Sequence, residues 1–236
     1  MSDTFKRVIT SGLNEAYRED YVKTWIDQLE PEGEILDVGA GTKPFEEHIK
    51  RTNLRYLSHD FNGYTPNLSQ MGLQSTTYFN SEHDFICDIT DLPHGIARYL
   101  ICTEVLEHVP NPVLALESII NSLKPGGRGL ITVPLGSLIH QAPHYFSAGL
   151  SPWWFENHFS NYPGVSYEIN IVGDYVDFMI QEIPRIFGEK HLWRFYPGRC
   201  IRRLLQSQQR RMRKFIDKKT LESGGIGVYV QFTRKD

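Results

Sequence analysis

Cysteine is scarce in this chain: Cys87, Cys102 and Cys200 are the only three in 236 residues. They are odd in number and widely spaced, and no C-x-x-C or Cys/His ligand spacing occurs. That argues against a disulfide-stapled domain and predicts free thiols in the reducing cytoplasm. Long apolar runs are missing too. None approaches the ~20 residues that span a bilayer, and Met1 to Arg7 is polar, without the apolar stretch of a secretory leader. There is no excess of positive charge. Lys and Arg number 25 against 28 Asp and Glu, for a formal net charge of −3, so a protein that coats nucleic acid is not expected. Internal repeats, low-complexity tracts and long linkers are absent as well. The rest is an ordinary globular composition, 40% hydrophobic over 236 residues. That is enough for a single domain, 1–236, with a full α/β core and a modest insertion.

The apolar pattern alternates strands with helices. Glu15 to Glu30 carries Tyr17, Tyr21, Trp25 and Leu29 four residues apart, the stripe of an amphipathic helix facing a core or covering a ligand. Glu34 to Val38 then runs into Gly39-Ala40-Gly41, a buried parallel strand ending at a functional loop. A helix follows over Phe45 to Arg51. Further strands are predicted at Arg55 to Asp60, Asp84 to Ile89, Tyr99 to Thr103 and Arg128 to Pro134. A helix over Val113 to Leu123 is stopped by Pro125-Gly126-Gly127. Ser151 to Phe159 reads as a short aromatic helix, Ser166 to Val172 as a sixth strand, and Gly227 to Arg234 as a seventh, antiparallel one. This predicts a Rossmann-like α/β fold with a mostly parallel seven-stranded sheet and helices on both faces. Residues 173–223 would form a helical cap inserted before the last strand. Ligands of such sheets sit beyond the carboxyl ends of the strands, where Asp37, Asp60, Asp88 and Thr103 all fall.

A glycine-rich turn after a first strand fits either a dinucleotide or S-adenosylmethionine. The dinucleotide turn is G-x-G-x-x-G, with the pyrophosphate on a helix N-terminus. Here the turn reads Gly39-Ala40-Gly41-Thr42-Lys43-Pro44, with proline in place of the third glycine. Asp37 beside the turn favours an ammonium and a sulfonium and repels a pyrophosphate. Asp60 can accept both ribose hydroxyls of either ligand. Asp88 and Ile89 offer an acceptor for an adenine amino group and an apolar face for the ring.

ILDVGAGTKPF from Ile35 to Phe45, the acid of YLSHDF, CDITDLP around Asp88, CTEVLEHVPNP from Cys102 to Pro112 and LKPGGRGLITVP from Leu123 to Pro134 occur in order. Together these motifs resemble those of Rossmann-like, class I S-adenosylmethionine-dependent methyltransferases. The resemblance implies that Asp37, Gly39, Ala40, Gly41 and the adjoining Thr42 hold the methionine part of the cofactor. Asp60 with Phe61 would hold the ribose and Asp88 with Ile89 the adenine, while Thr103 and Glu104 would lie beneath. The turn departs from many members at Lys43 and Pro44, where a further glycine is usual. The stretch Leu92 to Arg98 lacks the acidic segment common before the fourth strand.

Methyl transfer to a hydroxyl needs a base for its proton. Three histidines are candidates: His108 after the fourth strand, and His140 and His144 in the loop after the fifth. His140 and His144 have metal-pair spacing, but Pro143 breaks a regular helix between them and the sequence offers no third ligand, so no metal is expected. PHYFSAGLSPWWFENHF resembles the corresponding region of bacterial methyltransferases from cell-surface glycan gene clusters, which implies a sugar-like hydroxyl as acceptor. Trp153, Trp154 and Phe155 fit either packing or sugar stacking, and packing is the commoner use. From Arg194 to Lys219 there are ten Lys or Arg and one acid, Asp217. Such a segment serves as a solvated cap face, an oligomer contact, an anionic-membrane contact or a clamp on substrate phosphates. The reading is thus a saccharide or small-metabolite O-methyltransferase. Nitrogen or carbon acceptors, a nicotinamide-dependent oxidoreductase and a non-catalytic cofactor-binding protein are the alternatives.

Overall fold

A computed structural model describes residues 5–8, 14–67, 69, 71–73, 82–187, 207–208, 211 and 213–235. Its centre is a sheet of eight strands: β1 (Phe5–Val8), β2 (Glu34–Val38), β3 (Arg55–Asp60), β4 (Phe85–Ile86), β5 (Ala97–Thr103), β6 (Leu123–Pro134), β7 (Val165–Val172) and β8 (Gly227–Arg234). Their order across the sheet is β1-β7-β8-β6-β5-β2-β3-β4. Only β8 runs against its neighbours, β6 and β7. From β2 the chain builds outward through β3 to β4, then returns to lay β5 and β6 on the other side. The cleft at the carboxyl ends of β2 and β5 is therefore the switch point of the sheet, where such folds bind ligands.

The helices are α1 (Asn14–Asp27), α2 (Glu46–Ile49), α3 (Pro112–Ser122), α4 (Pro152–Phe159), α5 (Tyr175–Phe187) and α6 (Lys218–Glu222). Strand alternation sends successive residues to opposite faces. Ile35, Tyr99, Ile101 and Leu130 pack with Val22, Trp25 and Ile26 of α1 and Ile49 of α2. Leu36, Val38, Leu100, Cys102 and Ile131 pack on the other face with Leu116 and Ile119 of α3 and Phe155 and Phe159 of α4. Local chemistry starts these helices where the sequence predicts. Asn111 caps α3 by accepting from the Leu114 N–H at 3.2 Å, and Ser151 caps α4 by accepting from the Trp154 N–H at 3.2 Å. Each cap is followed by a proline at the first turn.

Four expectations are corrected. The sheet has eight strands, not seven, because Phe5–Val8 adds beside β7 in parallel register. Arg7 ties this edge down by donating to the carbonyls of Gly173, Gly224 and Glu222. The third predicted strand shrinks to Phe85–Ile86, because the Asp88 side chain accepts from the Thr90 N–H and turns the chain into a 3₁₀ helix. The second helix covers only Glu46–Ile49. Pro125-Gly126-Gly127 lies within β6, which starts at Leu123 by pairing with Ala97.

Cys87 and Cys102 are free thiols, while Cys200 lies outside the described residues. No described helix is long and apolar enough to cross a membrane. The 173–223 region is described as α5, residues 207–208 and 211, and 213–223. Most of the basic segment 194–219 therefore lies outside the described residues. Of its described members, Arg213 grips Asp174 and Asp177 at the start of α5, at 2.6 Å each.

Candidate functional site

The turn after β2 is built around one imidazole and two carboxylates. His59, buried on β3, accepts from the Gly39 N–H on Nδ1 at 3.4 Å, and its Nε2–H donates to the Cys87 carbonyl at 3.1 Å. Acceptance on Nδ1 requires the neutral ring, and burial lowers its pKa in the same sense. Asp60, at the end of β3, accepts from the Gly41 N–H at 2.9 Å and the Asn62 N–H at 2.8 Å. The turn and the predicted ribose acid are thus one structure. Gly39 has φ +68°, and a Cβ there would sit 2.4 Å from the Val105 side chain, so a larger residue meets both strain and collision. Lys43, one of the two positions where the turn departs from the motif it resembles, takes the same left-handed conformation at φ 57°.

Asp37 lies beneath the turn, 1% exposed, accepting from the Tyr56 hydroxyl at 3.0 Å. Burial, reinforced by the nearby charges of Asp60 and Glu46, pushes its carboxyl up to about 7. A cationic ligand beside it would favour the ionised form. The folded carboxyl holds its proton more tightly than the unfolded one, whose pKa is about 3.9. Stability of the ligand-free chain should therefore fall as pH rises from about 4 to about 7, by on the order of 4 kcal/mol from this group alone. Asp37→Asn should flatten that slope, as urea unfolding at either end of the window would read. An unchanged slope would remove Asp37 as its source.

Asp88 spends one oxygen on the Thr90 N–H and hydroxyl, and Ile89 is buried beside it. Across the switch point, Thr103 ends β5 and Glu104 turns the chain at φ 55°. Glu104 accepts from the Thr132 hydroxyl at 3.1 Å and pairs with Arg18 of α1 at 3.3 Å. The sequence reading passes over Arg18, because it sits between Tyr17 and Tyr21, which pack on Tyr229.

The three candidate histidines do gather, but not as a helical i,i+4 pair. His140 meets His108, with ring centroids 4.7 Å apart, while His144 turns toward Phe61 and Tyr64 at 5.2 and 6.2 Å. His108 Nδ1–H donates to the His144 carbonyl, and His140 Nδ1–H donates to the Leu138 carbonyl at 2.9 Å. The 71–73 strip clamps this loop through Leu73, whose N–H donates to the Ile139 carbonyl and whose carbonyl accepts from Gln141. Burial, with His140 alongside, lowers His108 to about 4 and makes it a weak base.

Glu107, also passed over in sequence, is 0% exposed beside them. Neither carboxylate oxygen has a hydrogen-bond partner among the described residues. Burial and the neighbouring Glu104 raise its pKa well above the carboxylate range. Its only sequence signal is an acid set among Val105, Leu106 and Val109. Phe155 is fully buried in the core and Trp154 stacks on His158 at 4.2 Å, whereas Trp153 meets Phe5 edge-on at 5.5 Å and stays 61% exposed.

Residues 13–209 match a family described as a methyltransferase domain. A ubiquinone biosynthesis O-methyltransferase of Xanthomonas oryzae is 28% identical over 112 residues, 47% of this chain and 46% of that protein. The chain thus spans about half the length of the curated relatives it matches. The fold is shared with an S-adenosylmethionine-dependent methyltransferase from Archaeoglobus fulgidus, at TM-score 0.54 and 12% identity over 94% of this chain and 95% of that one. It is shared also with the Haemonchus contortus phosphoethanolamine N-methyltransferase 2 solved with S-adenosylmethionine, at TM-score 0.52 and 13% identity over 93% of this chain and 52% of that one.

Proposed function

Since the chain belongs to the methyltransferase-domain family, we propose that it transfers the methyl group of S-adenosylmethionine to a hydroxyl oxygen of a saccharide or similarly small metabolite. One arrangement carries this reading. The glycine turn with Asp60 and Asp88, and the imidazoles that follow β5 and β6, share the carboxyl-end rim of one sheet. The cofactor, when bound, supplies a methyl group activated on a sulfonium. Asp37, Gly39, Ala40, Gly41 and Thr42 receive its amino-acid part, Asp60 and Phe61 its ribose, and Asp88 and Ile89 its adenine. Thr103 and Glu104 form the floor.

Transfer to a hydroxyl oxygen would leave the cofactor as a neutral thioether and release the hydroxyl proton. The hydroxyl proton passes to an imidazole. His108 is the poorest of the three for this task, since its ring is buried and held to the His144 carbonyl. His140 and His144 remain as bases. The relatives are named for O-methylation, which supports a hydroxyl acceptor. The predicted cap insertion 173–223 begins at the carboxyl end of β7, and its stretch 188–206 lies outside the described residues.

Transfer of labelled methyl to a panel of hydroxyl-bearing and amine-bearing small molecules tests the reading. Wild type should label a hydroxyl acceptor. His140→Ala and His144→Ala together should lower kcat by roughly 10²–10⁴-fold. Labelling of amines alone, undiminished in the double variant, would replace this reading with N-methylation.

A further inference from the structure

We propose that Glu107, His108 and His140 form a binding site for a divalent transition-metal ion at the acceptor side of the rim. The ligand atoms of these three side chains lie within 4.8 Å of one another. His108 Nε2 is 3.7 Å from Glu107 Oε1, close to the roughly 3.4 Å edge of a tetrahedron with metal–ligand bonds near 2.0–2.1 Å. Small side-chain movements close the set. The second observation is Glu107 itself: a fully buried carboxylate whose two oxygens have no hydrogen-bond partner among the described residues, directed at two imidazoles. Buried carboxylates are otherwise paired or metal-bound.

The imidazoles are already prepared as ligands. Each donates its Nδ1–H to a main-chain carbonyl, His108 to His144 and His140 to Leu138. A metal-bound histidine typically makes this outer bond, which fixes the tautomer and the ring orientation. The loop carrying His140 is locked from both sides. Leu73 pairs with Ile139 and Gln141, and the Phe146 and Ser147 N–H groups donate to the Glu107 carbonyl at 3.0 and 3.2 Å. Two imidazoles and one carboxylate select zinc, cobalt or a similar ion over magnesium or calcium, which prefer all-oxygen sites. Three protein ligands leave a position open for water or an acceptor oxygen. This last role rests on the O-methylation reading. With His140 on the ion, His144 is left as the base.

The test uses the full, tag-free chain after chelator treatment, titrated with Co²⁺ and Zn²⁺ and, for contrast, Mg²⁺. Wild type should take up one equivalent of Co²⁺ with visible d–d absorption, and Zn²⁺ should displace it. Mg²⁺ should leave the spectrum unchanged. His140→Ala and Glu107→Gln should each weaken Co²⁺ binding at least tenfold. His140 is half-buried, so its variant guards against loss of fold. Absence of Co²⁺ uptake by folded wild type, or uptake unchanged in both variants, overturns the site. Co²⁺ uptake needs neither cofactor nor acceptor. S-adenosylhomocysteine affinity and hydroxyl labelling on the same preparation therefore report separately on the methyltransferase reading.

Discussion

Asp60→Ala should weaken S-adenosylhomocysteine binding by about a hundredfold, roughly 3 kcal/mol from the loss of two hydrogen bonds to a charged group and of the ribose acceptor. The side chain does two jobs. Its Oδ2 holds the Gly41 N–H and its Oδ1 the Asn62 N–H, so it fixes the backbone on both sides of the proposed ribose. Alanine leaves both N–H groups without that carboxylate at a position only 4% exposed. Asp60→Asn separates charge from shape. It keeps an acceptor oxygen and should lose less affinity than alanine. Calorimetry on both variants, with urea unfolding to confirm the fold, gives the answer. Unchanged affinity in folded Asp60→Ala would remove Asp60 from the cofactor site.

The strand ends that carry most of the proposed cofactor residues were legible in the sequence because each closes a hydrophobic run. Asp37 and Gly39 close β2, Asp60 closes β3 and Thr103 closes β5. Period-two alternation locates such ends directly. The eighth strand was not legible. Phe5–Val8 is four residues long, and it is held by the Arg7 guanidinium on distant carbonyls, which no local pattern announces. The grouping of the histidines was hidden for a similar reason. Spacing relates His140 to His144, whereas the fold relates His140 to His108 across two strand ends. Glu107 was hidden by its neighbours, since an acid among Val105, Leu106 and Val109 has no helical or strand period to mark it. His59 reads as one more residue of β3, yet its neutral ring supports the turn from below.

Glu107→Met should stabilise the ligand-free chain while abolishing Co²⁺ uptake. The carboxylate is fully buried, has no hydrogen-bond partner among the described residues and faces the like charge of Glu104. Arg18 relieves it only in part, because its guanidinium pairs directly with Glu104 and makes no hydrogen bond to Glu107. A group kept in this state for folding alone would be a poor choice, since a buried polar group without a hydrogen bond costs roughly 1–3 kcal/mol of stability. Methionine keeps similar length and volume and carries no charge to desolvate. For a chain of this size each kcal/mol corresponds to about 2–4 °C in Tm, so the gain should be plain in thermal unfolding of chelated samples. Zinc should then reverse the order, raising the Tm of wild type and leaving Glu107→Met where it was, because only a ligand bound to the native state adds stability by mass action. A carboxylate that costs stability when empty and returns it when a cation is bound is retained for the cation. If instead Glu107→Met lowers Tm in the chelated protein, the side chain has a structural partner, and the metal site loses its principal support.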